Sequence, residues 1–306
     1  MEETRMVKLD LALQVRGDYP TLVEAANYCE ANHLVALALP DHYLSSRSDP
    51  SEPAYDALAQ LAGLARETST VELSTLVSPI TFRHPAVTLK TAVTIDEMSG
   101  GRFTLGLGTG WFTEEHELFG IPFPEKRFDL LEDALAYTRA GLEGRSHEGP
   151  HYRISEFDAR PTPSNLRVVV GGSGPQRTPE LAGRYADEFN VYCGPLDEMG
   201  DRIALAREAA LQAGRDPDGL LISTAGVVIT GTNEAEYRAA LDAAAERFQR
   251  PRDELEASMR ERGTPVGRNA AEVIDAIADL GVERFYLQMF GTDPARRSDM
   301  LAALRA

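Results

Sequence analysis

Residues 166–178 read LRVVVGGSGPQRT. In that order the segment holds an apolar run, a glycine turn and a polar helix start. The valines are continuous instead of alternating, as in a parallel strand that helices cover on both faces. The glycines expose backbone N–H groups, the helix that follows has an electropositive N-terminus, and two side chains add donors. Gly171, Gly172, Ser173, Gly174 and Arg177 therefore read as a phosphate seat, with a bare tight turn as the simpler alternative. The Lys-Ser/Thr pair of an ATPase loop is missing.

The same strand–turn–helix rhythm extends outward in both directions. Apolar runs fall at 7–15, 34–40, 71–79, 102–110, 166–172, 188–194, 220–229 and 283–290. Helical patterns fall at 21–32, 54–67, 86–98, 128–142, 179–186, 199–213, 234–248, 270–280 and 293–304. Eight strands alternating with helices predict an α/β fold, a single (β/α)8 TIM barrel spanning 1–306 as one domain. The length would also allow two domains, but such a barrel routinely takes about 250 residues or more. Segment 144–165, rich in Gly, Pro and His, breaks the rhythm. It is expected to be an insertion before strand five, with a hairpin around 151–157.

Composition narrows the function. There are 31 basic and 48 acidic side chains, a net charge of −17. Such a surface repels phosphate backbones and anionic lipid, so neither nucleic acid nor a membrane is an expected partner. The first ten residues hold no apolar signal core, and no uncharged apolar run approaches the roughly 18 residues of a membrane span. Two cysteines, Cys29 and Cys193, make no disulfide framework, and a reducing cytoplasm is the expected compartment.

In a barrel of this kind the chemistry sits at the C-terminal ends of the strands. Strand two ends in Asp41 and His42, a carboxylate and an imidazole suited to acid/base work or to cofactor contact. Strand three runs into Pro79, which must bulge or turn. Strand four ends in Gly106-Leu107-Gly108-Thr109-Gly110-Trp111. Alternating glycines let a flat ligand approach closely, but Trp111 stands where a dinucleotide fingerprint needs glycine. Glu114, Glu115 and His116 follow, and adjacent residues on a helix do not share a face, so no metal site is expected. Cys193, after strand six, has no activating base in view and reads first as packing. No GxSxG elbow occurs. The three lysines, Lys8, Lys90 and Lys126, lie away from strand ends, which argues against a Schiff base. Segments 44–53, 112–123 and 248–268 are expected to line the pocket.

Taken in order, these strand ends resemble the bacterial luciferase-like monooxygenase superfamily, and look most like its branch that uses the deazaflavin coenzyme F420. The residues that carry the resemblance include Pro40-Asp41-His42, Ser74 to Pro85, Asp96 to Arg102, Gly106 to Trp111 with Glu114-Glu115-His116, Phe119 to Pro124, Arg127-Phe128, Gly171 to Thr178 and Ala186-Asp187-Glu188. The resemblance implies a homodimer or larger homo-oligomer and a flavin-type ring in the barrel mouth. It implies a bulge in strand three with a non-prolyl cis peptide, expected at Thr75–Leu76, so that Thr75, Leu76 and Val77 meet the ring. It implies that Asp41 contacts the ring's polar edge, and that His42 exchanges the proton accompanying a hydride. Gly108, Thr109 and Gly110 would border the cofactor, Gly171 to Arg177 would hold its phosphate end, and Cys193 would lie near it. Sugar-phosphate dehydrogenases of this branch carry a glutamate where this chain has Trp111. An aromatic wall there suits an apolar or flat substrate, with Glu115 and His116 beside it. The implied activity is hydride transfer between coenzyme F420 and a small organic substrate. The alternatives are an FMN-dependent monooxygenase using O2 and a non-catalytic flavin-binding relative.

Overall fold

The computed structural model describes residues 7–45, 53–155, 161–288 and 294–305. Eight strands form the barrel: β1 (Asp10–Gln14), β2 (Ala36–Leu39), β3 (Glu72–Thr75), β4 (Phe103–Gly108), β5 (Arg167–Gly172), β6 (Glu188–Tyr192), β7 (Leu221–Gly226) and β8 (Arg284–Gln288). Every neighbouring pair is parallel. The ring closes where β8 lies beside β1, with Asp10 opposite Arg284. The expected (β/α)8 barrel is the observed one, and its strand order follows the chain.

The core has two shells. The outer one packs the helices on the strands through residues such as Leu13, Leu37, Leu73, Leu105, Val168, Val170 and Phe285. The inner one fills the barrel with Ala12, Ala36, Ala38, Leu76, Val169 and Tyr286. Three alanines on β1 and β2 leave the volume that the Tyr286 ring occupies, the small-against-large packing a narrow barrel needs.

Strand three departs from its expected course. Its ladder lapses at Leu76–Val77 and resumes at Ser78–Pro79 against β4. The non-prolyl cis peptide is Leu76–Val77, one bond later than expected. The Leu76 N–H still donates to the Leu39 carbonyl at 2.9 Å, so the Thr75–Leu76 peptide remains in the β2 ladder and the departure comes after it.

The hairpin also starts earlier than expected. His147–Glu148 pairs antiparallel with Arg153–Ile154, while Phe157 lies outside the described residues. The Asp133 carboxylate fixes the register, accepting from His147 Nε2 at 2.6 Å, His151 N at 2.7 Å and Tyr152 N at 2.8 Å. Two helices escaped the periodicity, Thr113–Phe119 and Arg252–Glu261. The first is too short to show a period. The second buries only Leu255 and Met259, too few for an apolar stripe.

The N-terminal end of the barrel is closed by charge. Arg284 Nη1 lies 2.9 Å from Glu72 and 3.5 Å from Glu188, and Tyr286 Oη donates to Glu188 at 3.2 Å. Arg167 meets Glu72 at 2.6 Å. Nearby, Arg102 donates to the carbonyls of Ala65, Thr68, Val71 and Ser99, stitching the end of helix Ala57–Glu67 to β3 and β4. Among the described residues no helix is long and apolar enough to cross a membrane.

Candidate active site

At the opposite end, β2 delivers Asp41 and His42 side by side, and the structure sends them in different directions. Asp41 is fully buried. Arg83 grips it with two nitrogens at 2.6 and 3.3 Å and holds Asp56 at 2.5 Å. Asp56 also caps helix Ala57–Glu67 by accepting from Ala59 N. Burial alone would raise Asp56, but the Ala59 N–H and the Arg83 guanidinium outweigh it and hold the carboxyl below its ordinary range. Arg83 thus ties the loops after β2 and β3 to one helix. Above it Tyr43 stacks on Phe82 with ring centres 4.4 Å apart, and burial pushes its phenol up to about 12.

His42 turns toward the mouth. Its side chain is 20% exposed and its Nδ1 lies 2.9 Å from Glu115 Oε1. Glu115 is 1% exposed and also accepts from the Tyr43 and Leu44 backbone N–H groups, at 3.0 and 3.4 Å. The ring meets Trp111 edge-on at 5.7 Å and Phe112 at 6.0 Å. Trp111 is 62% exposed and stacks on Phe112, so an aromatic face stands open beside the imidazole.

Glu115 and His116 are adjacent on helix Thr113–Phe119 and serve different loops. His116 is fully buried, its Nδ1 at 2.8 Å from the Phe112 carbonyl and its Nε2 at 2.7 Å from Thr81 Oγ1. In a neutral ring Nδ1 must donate to the carbonyl, so Nε2 accepts from the threonine hydroxyl. Both residues, expected beside a substrate, are buried and hold the loops after β2 and β3. Among the described residues no group of three His, Cys, Asp or Glu side chains could hold a metal ion.

The glycines of β4 have a second reason to be there. A Cβ on Gly106 would fall 2.0 Å from the Thr75 carbonyl oxygen, and one on Gly108 would fall 2.7 Å from a Val77 methyl. These two positions make room for the bulge of β3, a close approach of protein to protein. Gly171 receives the same Val77 side chain from the other flank, at 3.2 Å. Leu76 and Val77 thereby form one wall of the inner barrel, with Thr75 fully buried behind them. Thr109 and Gly110 are partly exposed at the rim.

Gly172 and Ser173 are exposed, and helix Arg177–Tyr185 follows the N-cap residue Gln176 with no side chain capping its first turn. Backbone donors are therefore open at this loop. Arg177 is committed elsewhere: it meets Asp129 at 2.7 Å and Glu132 at 3.1 Å. Its charge is balanced by carboxylates of helix Arg127–Leu142. Cys193 lies just past β6, its Sγ 3.1 Å from where a Gly226 Cβ would sit, and burial pushes its thiol up to about 11.

A cleft of about 350 Å³ lies between Tyr43, Ala54, Asp56 and Phe119. It borders two of the segments expected to line a pocket, although residues 46–52 of the first lie outside the described ones. The third, 248–268, packs Leu255, Met259 and Val266 into a small core of its own with Ile229, Tyr237 and Leu241. Sequence reasoning missed Arg83, Asp56 and Gln14. Gln14 donates to the Leu76 carbonyl at 2.5 Å, and Gln288 donates to Gln14 Oε1 at 2.8 Å, so β8, β1 and the bulge are linked. Arg83 and Gln14 are recognisable only by partners far away in the chain, whereas Asp56 also carries the local signal of a helix cap.

A closed parallel barrel with an imidazole–carboxylate pair, an exposed tryptophan and a glycine-rich loop at its C-terminal mouth has the framework of a barrel oxidoreductase. The chain belongs to the luciferase-like monooxygenase family, whose model matches residues 6–305. It is 32% identical over 204 residues to an F420-dependent glucose-6-phosphate dehydrogenase of Kribbella flavida, covering 63% of this chain and 60% of that protein. It is 29% identical over 171 residues to the pyrimidine monooxygenase RutA of Escherichia coli K12, covering 53% of this chain and 44% of that one. These matches span less than two thirds of either relative. In fold it is similar to an F420-dependent secondary alcohol dehydrogenase solved with an F420–acetone adduct, at a TM-score of 0.80 and 17% identity, over 98% of this chain and all of that one.

Proposed function

We propose that this protein transfers a hydride between the deazaflavin coenzyme F420 and a small organic substrate, with His42 exchanging the accompanying proton. The observation that carries the reading is the placement of His42. Its Nδ1 is held by the buried Glu115, it borders the exposed Trp111, and among the described residues its Nε2 has no hydrogen-bond partner. Imidazoles with one nitrogen oriented by a carboxylate and the other open are suited to general acid/base work.

The residues present fit a flavin-type cofactor. The Leu76–Val77 bulge, seated by Gly106, Gly108 and Gly171, would back the ring, and Thr109 and Gly110 would border it. Backbone N–H groups of the exposed loop 172–176 other than Pro175 would hold its phosphate end, with Arg177 supporting that loop through its bonds to Asp129 and Glu132. Asp41 would act by keeping Arg83, and with it the His42 loop, in place. Cys193 would border the cofactor as a neutral thiol. When bound, the deazaflavin supplies or accepts the hydride. Trp111 would form the substrate wall and favour an apolar or flat molecule, with Glu115 and His116 shaping it from beneath. The reading extends to a cytoplasmic homodimer or larger homo-oligomer.

FMN with O2 is the second reading, favoured by the pyrimidine monooxygenase among the relatives. His42→Asn tests the role given to the imidazole. Turnover with F420 is expected to fall by about 10²-fold or more, with cofactor affinity within a few-fold of wild type. Unchanged turnover would remove His42 from the mechanism.

A further inference from the structure

The structure assigns Glu115 as the positioning residue that sets which nitrogen of the neutral His42 ring carries the hydrogen, so that the proton-exchanging atom is Nε2. The inference rests on the function proposed above, and it also makes a claim about the protein alone.

Its basis is the way three donors converge on one buried carboxylate. Oε2 accepts from the Tyr43 and Leu44 backbone N–H groups, and Oε1 faces His42 Nδ1 at 2.9 Å. A carboxylate can only accept, so Nδ1 must carry its hydrogen. In the neutral ring the lone pair is then on Nε2. The loop donors do a second job: they fix the carboxylate in place, so the imidazole is held by a group that cannot swing away. Glu115 is 1% exposed, and helix Thr113–Phe119 is anchored on its other side by His116, through Phe112 and Thr81. Trp111 and Phe112 confine the ring laterally at 5.7 and 6.0 Å. In the oxidising direction, a substrate that loses a hydride to the deazaflavin and a proton to Nε2 is balanced in charge and atoms. The imidazolium so formed lies against the Glu115 carboxylate.

This arrangement predicts an unusual result for Glu115→Gln. Backbone N–H groups accept nothing, so Tyr43 and Leu44 must keep the amide oxygen. The amide NH2 then faces His42 Nδ1, which has to become an acceptor, and the neutral ring moves its hydrogen to Nε2. The loop stays anchored while the tautomer inverts. A merely structural glutamate would not invert it.

The test is ¹⁵N–¹H correlation of the His42 ring in the wild type and in Glu115→Gln, at a pH where the ring is neutral. Amide hydrogen exchange at Tyr43 serves as the control for folding of the loop. The expected result is an Nδ1–H ring in the wild type and an Nε2–H ring in the variant, with Tyr43 exchange unchanged. Turnover with F420 should fall on the order of 10²-fold, and cofactor affinity should stay within a few-fold. An Nε2–H ring in the wild type, or the same tautomer in both proteins, would overturn the inference. If Glu115→Gln loosens the loop, Glu115→Asp supplies the second reading: it keeps an acceptor-only group, so the Nδ1–H tautomer and part of the turnover should survive. Loss of that tautomer in the aspartate variant with Tyr43 exchange intact would count against the inference. Tautomer inversion together with full activity of His42→Asn would uphold the positioning role and overturn the catalytic one.

Discussion

At the N-terminal end of the barrel Arg284 sits between Glu72 and Glu188; at the C-terminal end Arg83 sits between Asp41 and Asp56. The two clusters use the same chemistry for different ends. Around Arg284 the network turns inward: Tyr286 Oη bonds to Glu188, and Arg167 meets Glu72. Burial pushes the Glu188 carboxyl up, while burial of Arg284, which alone would favour its neutral form, is outweighed by Tyr286, Glu188 and Glu72. The result is a plug. Around Arg83 the network stops short of closing. It steadies the strand ends and leaves His42 beside an exposed tryptophan with one nitrogen open. Ion networks of similar composition therefore close the barrel at one end and leave it open at the other, and what separates them is the His42 nitrogen that has no partner among the described residues at the mouth.

Breaking the plug should cost most. Arg284→Met leaves Glu188 buried without its cation, and chemical denaturation should show a loss of about 3–5 kcal/mol. Adding Glu72→Gln and Glu188→Gln should recover much of that loss, because the uncompensated charge is then gone. If the single variant is as stable as wild type, the plug does not hold the barrel closed.

Breaking the mouth cluster should cost less, since Asp56 is partly solvated. Arg83→Met also strands the buried Asp41, so the loss should sit at the low end of the same range, about 3 kcal/mol, and the variant should speed amide exchange at Tyr43 more than at Tyr286. Equal effects at both ends would erase the distinction between them.

The smallest effect is one of pH. The Asp56 carboxyl is held below its ordinary value of 3.8, so its contribution to stability is complete above that pH and is lost as pH falls through the lower, folded value. With 40% of its side chain exposed, the contribution should stay under about 1 kcal/mol. Asp56→Asn should flatten the acid limb of the stability curve by that amount. Glu188 shifts the other way, so in the window above its ordinary value of 4.5 acidification favours the folded state at the plug. Comparing the acid limbs of Asp56→Asn and Glu188→Gln sharpens the contrast.

The barrel was legible because its signal is local and repeated. Val168–Val170 and the glycines after them describe one βα unit, and the same reading holds at each strand. The mouth was legible only in part. His42, Gly108 and Gly171 announce themselves by position at a strand end. The neighbours that decide what His42 can do come from distant segments: Glu115 lies 73 positions away and Arg83 reaches Asp41 across 42. Their meeting depends on the closure of the barrel. The glycines of β4 show how one residue type can answer to more than one neighbour: the sequence reads Gly106 and Gly108 as room for a ligand, and the structure adds the close approach of Thr75 and Val77. The cis peptide was misplaced for a related cause, because the hydrogen bond from Leu76 to Leu39 that decides its register joins separate strands.

The mouth built around His42 is proposed to take a deazaflavin for hydride transfer. Titration of the purified protein with coenzyme F420, FMN and FAD, followed by fluorescence, tests it most directly. Micromolar affinity for F420, weaker binding of FMN and FAD, and nearly unchanged F420 affinity in His42→Asn are expected. Micromolar affinity for FMN with none for F420 would contradict it.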